Sequence, residues 1–403
     1  MLLRLNIRAA SLQLGTRGRF SFKPPQPCCY STRASDPLRI LFCGSDEFSC
    51  ASLKALEAEH RTNPDLIRSI DVVVRPPKRT GRGLKQIREL PLHSLAKDLN
   101  LPIHLRDTFR QWNMPQQDGE PINLIIAVSF GLFVPRRLLD ATKYGGLNIH
   151  PSLLPDLRGA APLHHAILLG RTHTGVSLQT LSPEAFDRGT VLAQTPRPGI
   201  PLSPTETPDT LLRKLAPLGA EMLVKGLRDG VHVPPYISRA WTPSPKEQSS
   251  LREAPKIDSS MRSLIHAGCD ETAAGVARRY RALGPLWVVT EPDNTLNPDD
   301  QGIRLKLDDI REGPSRDEVD ALLKQNPVPD RVRQIRFLLW SPQVSIIVFP
   351  DGGNDGSVAL QLREGDYITV GRVTVEGQAS QPAAVALQPL TQAYGYTGRI
   401  SVS

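Results

Sequence analysis

Asn148 and His150 stand two residues apart in the stretch GLNIHPSLLPDLRGAAP (146–162), and a proline follows at once. On a strand, residues i and i+2 share a face. The amide and the imidazole then point one way while Leu147 and Ile149 point the other. Pro151 has no N–H to give and halts the ladder, so the pair falls at a strand end. A side-chain amide there can donate to a carbonyl oxygen as it becomes anionic. An imidazole beside it can take or give a proton near neutral pH, or donate to the same oxygen. The ring needs an orienting carboxylate, and SPEAFDRGTVLAQ supplies Asp187 in a turn-like stretch before another strand. Taken singly, each has a plainer reading: His150 as a satisfied structural histidine, Asp187 as a turn or cap residue.

The elements that must position these groups alternate. RILFCG, IDVVV and INLIIAV read as buried strands, and the last turns at Gly131 into a helix with Pro135 in its first turn. Ser45 or Asp46 can cap a helix through Phe48, Leu53 and Leu56. LPLHSLAKDLNLPIH reads as helix then strand, APLHHAILLG as a helix ended by Gly170, TGVSLQTL and TVLAQTPRPGI as strands, and TPDTLLRKLAPLGAEMLVKGLRDG as a helix. The alternation predicts an α/β fold, doubly wound on a mostly parallel sheet. A Pro- and Ser-rich linker follows at about 233–256. TAAGVARRYRAL is one more helix, and the short runs after it predict a small C-terminal β-barrel. REGPSRDEVDALLKQNPVPD reads as a surface loop or insertion. Cys43 and Cys50 read as small core residues, and His164 and His165 as plain helix surface, with lining the mouth of the site as the alternative.

A sheet that opens ILFCGSDEF invites a nucleotide, but only Gly44 of a G-x-G-x-x-G pattern is present. Asp46 and Glu47 occupy the positive end of the next helix and would repel a phosphate. NAD, FAD and ATP are disfavoured, and the ligand site is expected elsewhere on the carboxyl edge of the sheet.

Together, NIHPSLLPDLRGAAP and FDRGTVL resemble the folate-dependent formyltransferases, nearest the branch that formylates methionyl-tRNA in mitochondria. The likeness runs in order and spacing from about Arg39 to Leu218 and includes RILFCGSDEFS and IAVSFGLFVPRRLLD. It implies a formyltransferase-type Rossmann-like domain followed by an OB-like barrel that binds tRNA. It implies Asn148, His150 and Asp187 as the catalytic trio, 10-formyltetrahydrofolate as the formyl donor, and no metal. The donor pocket would involve Ala127, Val128, Ser129, Phe130 and Gly131, the turn Ser152, Leu153, Leu154 and Pro155, and Ala185 and Phe186. Where the family often reads Leu-Asp-Thr-Gly-Asp, this chain reads Phe186-Asp187-Arg188-Gly189-Thr190, so the second acid is absent. Which group acts as the base stays open.

Two features bear on the acceptor. RPPKRTGRGLKQIREL is a basic, glycine-containing loop resembling the inserted loop of that branch, with Arg82 central. Arg79, Arg82, Lys85 and Arg158 are the candidate contacts to initiator methionyl-tRNA; a solvated basic loop is the alternative. Arg278, Arg279 and Arg281, and Arg331, Arg333 and Arg336, are further triplets that could meet RNA or be ordinary exposed faces. Two other readings compete: a formyltransferase acting on a small amine or amino sugar, and a non-catalytic RNA-binding relative.

The charge balance agrees with an address at the N-terminus. The net +8 of the 403 residues includes six basic and no acidic residues in 1–35, an Arg-rich, acid-free composition resembling a mitochondrial presequence, with a disordered basic tail as the alternative. Residues 36–240 carry 25 Lys and Arg against 20 Asp and Glu, net +5, and residues 241–403 are net −3. Five cysteines without zinc-type spacing argue against a disulfide framework. No apolar run reaches the ~20 residues of a membrane span. The expected organisation is presequence 1–35, catalytic domain 36–232, linker 233–256 and barrel 257–403, acting as a monomer in the mitochondrial matrix.

Overall fold

The computed structural model describes residues 35–80, 83, 86–117, 119–264, 272–290, 302–325, 333–336, 345–350, 356–362 and 365–393. The expected presequence, Arg82, Lys85 and Arg331 fall outside them, apart from Ser35.

The apolar runs form the strands of one sheet: β1 (Leu38–Gly44), β2 (Ile67–Val74), β3 (Ile103–Leu105), β4 (Leu124–Val128), β5 (Gly146–His150), β6 (Ser177–Thr180) and β7 (Val191–Gln194). Their spatial order is β7-β6-β5-β4-β1-β2-β3. The five strands from β5 to β3 are parallel. β6 lies antiparallel to β5 and β7 antiparallel to β6, so the sheet is mostly parallel, with a reversed strand beside the site. Order reverses between β4 and β1, the topological switch point where open α/β sheets place ligands.

Helices α1 (Glu47–Thr62), α2 (Pro91–Asp98), α3 (Arg136–Asp140), α4 (Pro162–Leu168) and α5 (Pro208–Arg228) complete this part. Asp46 caps α1 by accepting the Ser49 N–H at 3.1 Å, worth about 1 kcal/mol. Thr207 and Thr210 cap α5 reciprocally. Pro135 is the N-cap of α3, one residue before the first turn where the sequence pattern set it. α1 and α5 cover one face with Leu53, Leu56, Leu211, Leu215 and Leu223, packed on Ile40, Phe42, Leu147 and Ile149. Cys43 and Cys50 are buried free thiols, and burial pushes the Cys50 thiol up to about 11.

Beyond the linker and its short helix α6 (Pro245–Ser250) come α7 (Ala273–Leu283), β8 (Leu286–Val289), β9 (Arg304–Glu312), α8 (Arg316–Gln325), β10 (Arg333–Arg336), β11 (Ser345–Pro350), β12 (Val358–Gln361), β13 (Tyr367–Val375) and α9 (Ala383–Ala393). The strands form an antiparallel sheet in the order β8-β9-β13-β12-β11-β10. Its core is Leu305, Leu307, Leu360, Ile368 and Val370. α8 corrects the loop expected at 311–330. Ser315 and Glu318 exchange cap hydrogen bonds at 2.7 and 3.3 Å. Asp317 and Glu318 suit the first turn, and Val319 is buried. The arginines of α7 do not form one exposed face: Arg279 is 3% exposed and donates to the Leu264 carbonyl, and Arg278 Nε donates to the Leu168 carbonyl at 3.3 Å. Among the described residues no helix is long and apolar enough to cross a membrane.

Candidate active site

β5 ends at His150, with Leu147 and Ile149 in the core and Asn148 and His150 on the opposite face. In the antiparallel register Asn148 faces Gln179 and His150 faces Ser177. Asp187 arrives from the turn between β6 and β7 with a left-handed backbone, φ 54°. Its carboxylate is the hub. Oδ1 accepts from Asn148 Nδ2 at 3.0 Å and from Gln179 Nε2 at 3.1 Å, and lies 3.4 Å from His150 Nδ1. Oδ2 accepts the Gly159 N–H at 2.9 Å. The side chains of His150 and Asp187 are only 6% and 8% exposed, so water screens their interaction little.

The loop after Pro151 completes the setting. His150 Nε2 faces the Leu157 carbonyl at 2.9 Å. A carbonyl only accepts, so this bond requires a proton on Nε2 and leaves Nδ1 as the atom exchanging protons on the Asp187 side. Arg158 Nε donates to the Asp187 carbonyl at 3.0 Å. Of six non-glycine residues with left-handed backbone among the described residues, Ser129, Leu157 and Asp187 surround this site. Backbone of that kind persists where surrounding contacts fix it, and it concentrates at functional sites. At Gly189 the backbone crosses so close that a methyl group would overlap the Thr180 carbonyl. Thr180 also accepts the Thr190 N–H on its hydroxyl at 2.9 Å, holding the turn that lacks the second acid.

The carboxyl edge opens into a cavity of about 580 Å³ lined by Asn148, His150, Gln179 and Asp187, by Ala127 and Ser129–Val134, and by Ala185 and Phe186. Phe133 and Phe186 meet edge to face at 5.3 Å at its rim. Phe48 and Leu212 also line it. Asn148 spends one amide hydrogen on Asp187, and its second can serve an oxygen in the cavity. Such an arrangement can stabilise a tetrahedral oxyanion and pass a proton beside it. Among the described residues no cluster of His, Cys, Asp and Glu could hold a metal ion.

A model of the formyl transferase family matches residues 38–227. The methionyl-tRNA formyltransferase of Ehrlichia chaffeensis is 34% identical over 252 residues, covering 62% of this chain and 75% of that protein. The mitochondrial methionyl-tRNA formyltransferase of Saccharomyces cerevisiae is 35% identical over 289 residues, covering 63% of this chain and 70% of that protein. The chain belongs to the methionyl-tRNA formyltransferase family. Among solved structures, a sugar 3N-formyl transferase aligns with a TM-score of 0.47 at 13% identity, over 86% of this chain and 100% of that one, too distant to add to the fold.

Of the residues singled out for this family's chemistry, Asn148, His150 and Asp187 converge. Ala127, Ser129, Phe130, Gly131, Ala185 and Phe186 line the cavity. Val128 and the turn Ser152–Pro155 do not. Val128 packs into the core. Ser152 is fully buried, its hydroxyl donating to the Asp156 carbonyl at 2.7 Å and its carbonyl accepting from Ser177 at 2.7 Å. That turn braces the site from beneath. Arg158, a candidate RNA contact, is turned inward on Asp187. Arg79 lies on a short strand, Lys78–Thr80, paired with Gln86–Arg88. His164 is not plain helix surface, because it lines the cavity, and burial holds its imidazole below the ordinary range. His165 is buried, with Nε2 on the Pro255 carbonyl at 3.0 Å. Gln179 and the Gly159 N–H were not singled out. The alternation of SLQT could have found Gln179; nothing in a sequence announces a backbone N–H.

Proposed function

We propose that the protein transfers the formyl group of 10-formyltetrahydrofolate to the α-amino group of methionyl-initiator-tRNA in mitochondrial translation initiation, in the matrix. The cavity is the right size for a flat heterobicycle and its aryl arm, with Phe130, Leu132, Phe133 and Phe186 as apolar wall. At its inner end the neutral amine attacks the formyl carbon. A carbon–nitrogen bond forms, and the former carbonyl oxygen becomes anionic. Asn148 donates to that oxygen, a contribution of about 3 kcal/mol by analogy with other oxyanion donors. His150 and Asp187 accept the proton the amine sheds and return it as the bond to folate N10 breaks.

The observation that carries this reading is the convergence of Asn148 and His150 on the Asp187 carboxylate at the cavity wall. Basic loop 75–90 would hold the acceptor stem through Arg79, Arg82 and Lys85. The C-terminal antiparallel sheet, closing as an OB-like barrel (257–403) after the linker 233–256, would place the tRNA body against the catalytic domain 36–232. A monomer without membrane attachment suffices for this chemistry, and residues 1–35 would direct the chain to mitochondria. The test is formylation of charged initiator tRNA with the folate donor, beside the same assay on His150→Ala. Product from the wild type and little from the variant is expected. Product with small amines but none with tRNA would replace the acceptor; RNA binding without turnover would replace the reaction.

A further inference from the structure

The loop that serves the reaction centre is held from outside by the linker. Leu157, whose carbonyl accepts from His150, donates its own N–H to the Arg252 carbonyl at 2.8 Å. Arg158 bridges Glu253 in parallel, and its carbonyl accepts the Ala254 N–H at 2.6 Å. Ala161 N–H donates to the Ala254 carbonyl at 3.1 Å. Between these two points lies Gly159, the donor to Asp187. A side chain at Gly159 would overlap the Ala254 carbonyl oxygen, so the two backbones are in contact there. Asp156 clamps the start of the pairing by accepting the Arg252 N–H at 3.0 Å and Arg171 Nη2 at 3.0 Å. Arg171 also donates to the Ser250 carbonyl at 2.6 Å. Ala254 is fully buried. Downstream the same segment seats on the C-terminal part, where Trp287 Nε1 donates to the Ser259 carbonyl at 3.0 Å and Leu264 N–H to the Trp287 carbonyl at 2.7 Å.

A linker needed only for reach would be solvated and unpaired. This one adds a strand to the loop that aims Leu157 O, Arg158 Nε and Gly159 N–H at His150 and Asp187. We propose that Arg252–Ala254 is a positioning element of the reaction, fixing the loop that orients the His150–Asp187 pair, with Asp156 as its anchor. The inference rests on the formyl-transfer reading. Misplacing reacting groups by about 1 Å costs on the order of 100-fold in rate without touching the substrates' binding surfaces. The strap therefore acts on kcat and leaves KM alone.

Two full-length variants test it. Ala254→Pro removes the N–H given to Arg158 and adds two ring carbons at a buried position. Asp156→Ala, at a half-buried loop position, releases the anchor, and Asp156→Asn retains an acceptor oxygen. Steady-state formylation of methionyl-tRNA should show kcat reduced about 100-fold for Ala254→Pro and about tenfold for Asp156→Ala. KM for tRNA and for the folate donor should stay within about twofold of wild type, and Asp156→Asn should restore most of kcat. If Ala254→Pro does not fold, the Asp156 pair decides alone. Wild-type kcat in the variants, a loss confined to KM, or an Asp156→Asn variant no better than Asp156→Ala overturns the strap. Absence of product from the wild type would instead overturn the functional reading beneath it.

Discussion

The two sheets are built to different tolerances. In residues 35–232 five parallel strands, four of them largely buried within the seven-stranded sheet and Ile103–Leu105 at its edge, deliver Asn148 and His150 at a strand end. Gln179, Gly159 and Asp187 interlock with them through hydrogen bonds of 2.9–3.1 Å. In residues 272–393 an antiparallel sheet over its own core of Leu305, Leu360 and Val370 carries no comparable convergence among the described residues. Acyl transfer depends on groups held to fractions of an ångström. Gripping a polyanion depends on charge and reach, which many surfaces supply. The family model matches residues 38–227, and residues 241–403 are net −3. Any RNA contact in this half must therefore come from local patches.

If that contrast is right, substitutions in the first half cut turnover and those at RNA-facing residues cut affinity. Asn148→Ala removes the amide donor. It should lower kcat by about 100- to 1,000-fold with KM nearly constant, measured by steady-state formylation. A loss appearing in KM alone would reassign Asn148 to binding. Arg82→Ala should do the reverse, raising KM for methionyl-tRNA about tenfold and steepening nothing in the donor titration. Unchanged KM and kcat would remove the loop from the acceptor site.

A smaller effect concerns only the fold of the first half. His232 is fully buried, with Nε2 against Ser35 Oγ at 2.9 Å and its ring edge-on to Tyr144 at 5.1 Å. Burial pushes its pKa down to about 4. Its unfolded form gains a proton near pH 6.5 while the folded form does not. The stabilising contribution is thus present above pH 6.5 and is lost as pH falls toward 4. Urea titrations should show the wild type losing on the order of 2 kcal/mol more than His232→Phe between pH 7 and pH 5. Equal losses would show that His232 is not buried in its neutral form.

Some of this was legible beforehand and some was not, for physical reasons. The alternation of Leu147, Asn148, Ile149 and His150 before a proline sorts the polar pair onto one face, because strand side chains alternate. Asp187 taken alone reads as a turn or cap residue; the need of His150 for a carboxylate and the family resemblance single it out. The direction of β6 was not, because a four-residue apolar run carries no sign of its orientation. α8 was hidden by its acid-rich exterior and flanking Gly313 and Pro314, and only its Ser315–Glu318 cap marks a helix start. The strap was invisible for a deeper reason: its bonds come from backbone groups every residue possesses. Arg158, read as a candidate RNA contact, donates to the Asp187 carbonyl instead, and no sequence signal distinguishes a phosphate partner from a carbonyl.

The most direct test of the central claim is single-turnover formylation of methionyl-initiator-tRNA by Asp187→Asn with saturating 10-formyltetrahydrofolate. Asparagine keeps the shape and one acceptor oxygen but cannot pair with a charged imidazole. The rate should fall by about 10³-fold or more while both substrates still bind. A rate within a few-fold of wild type would show that the carboxylate at the centre of this hydrogen-bonded hub takes no part in the chemistry.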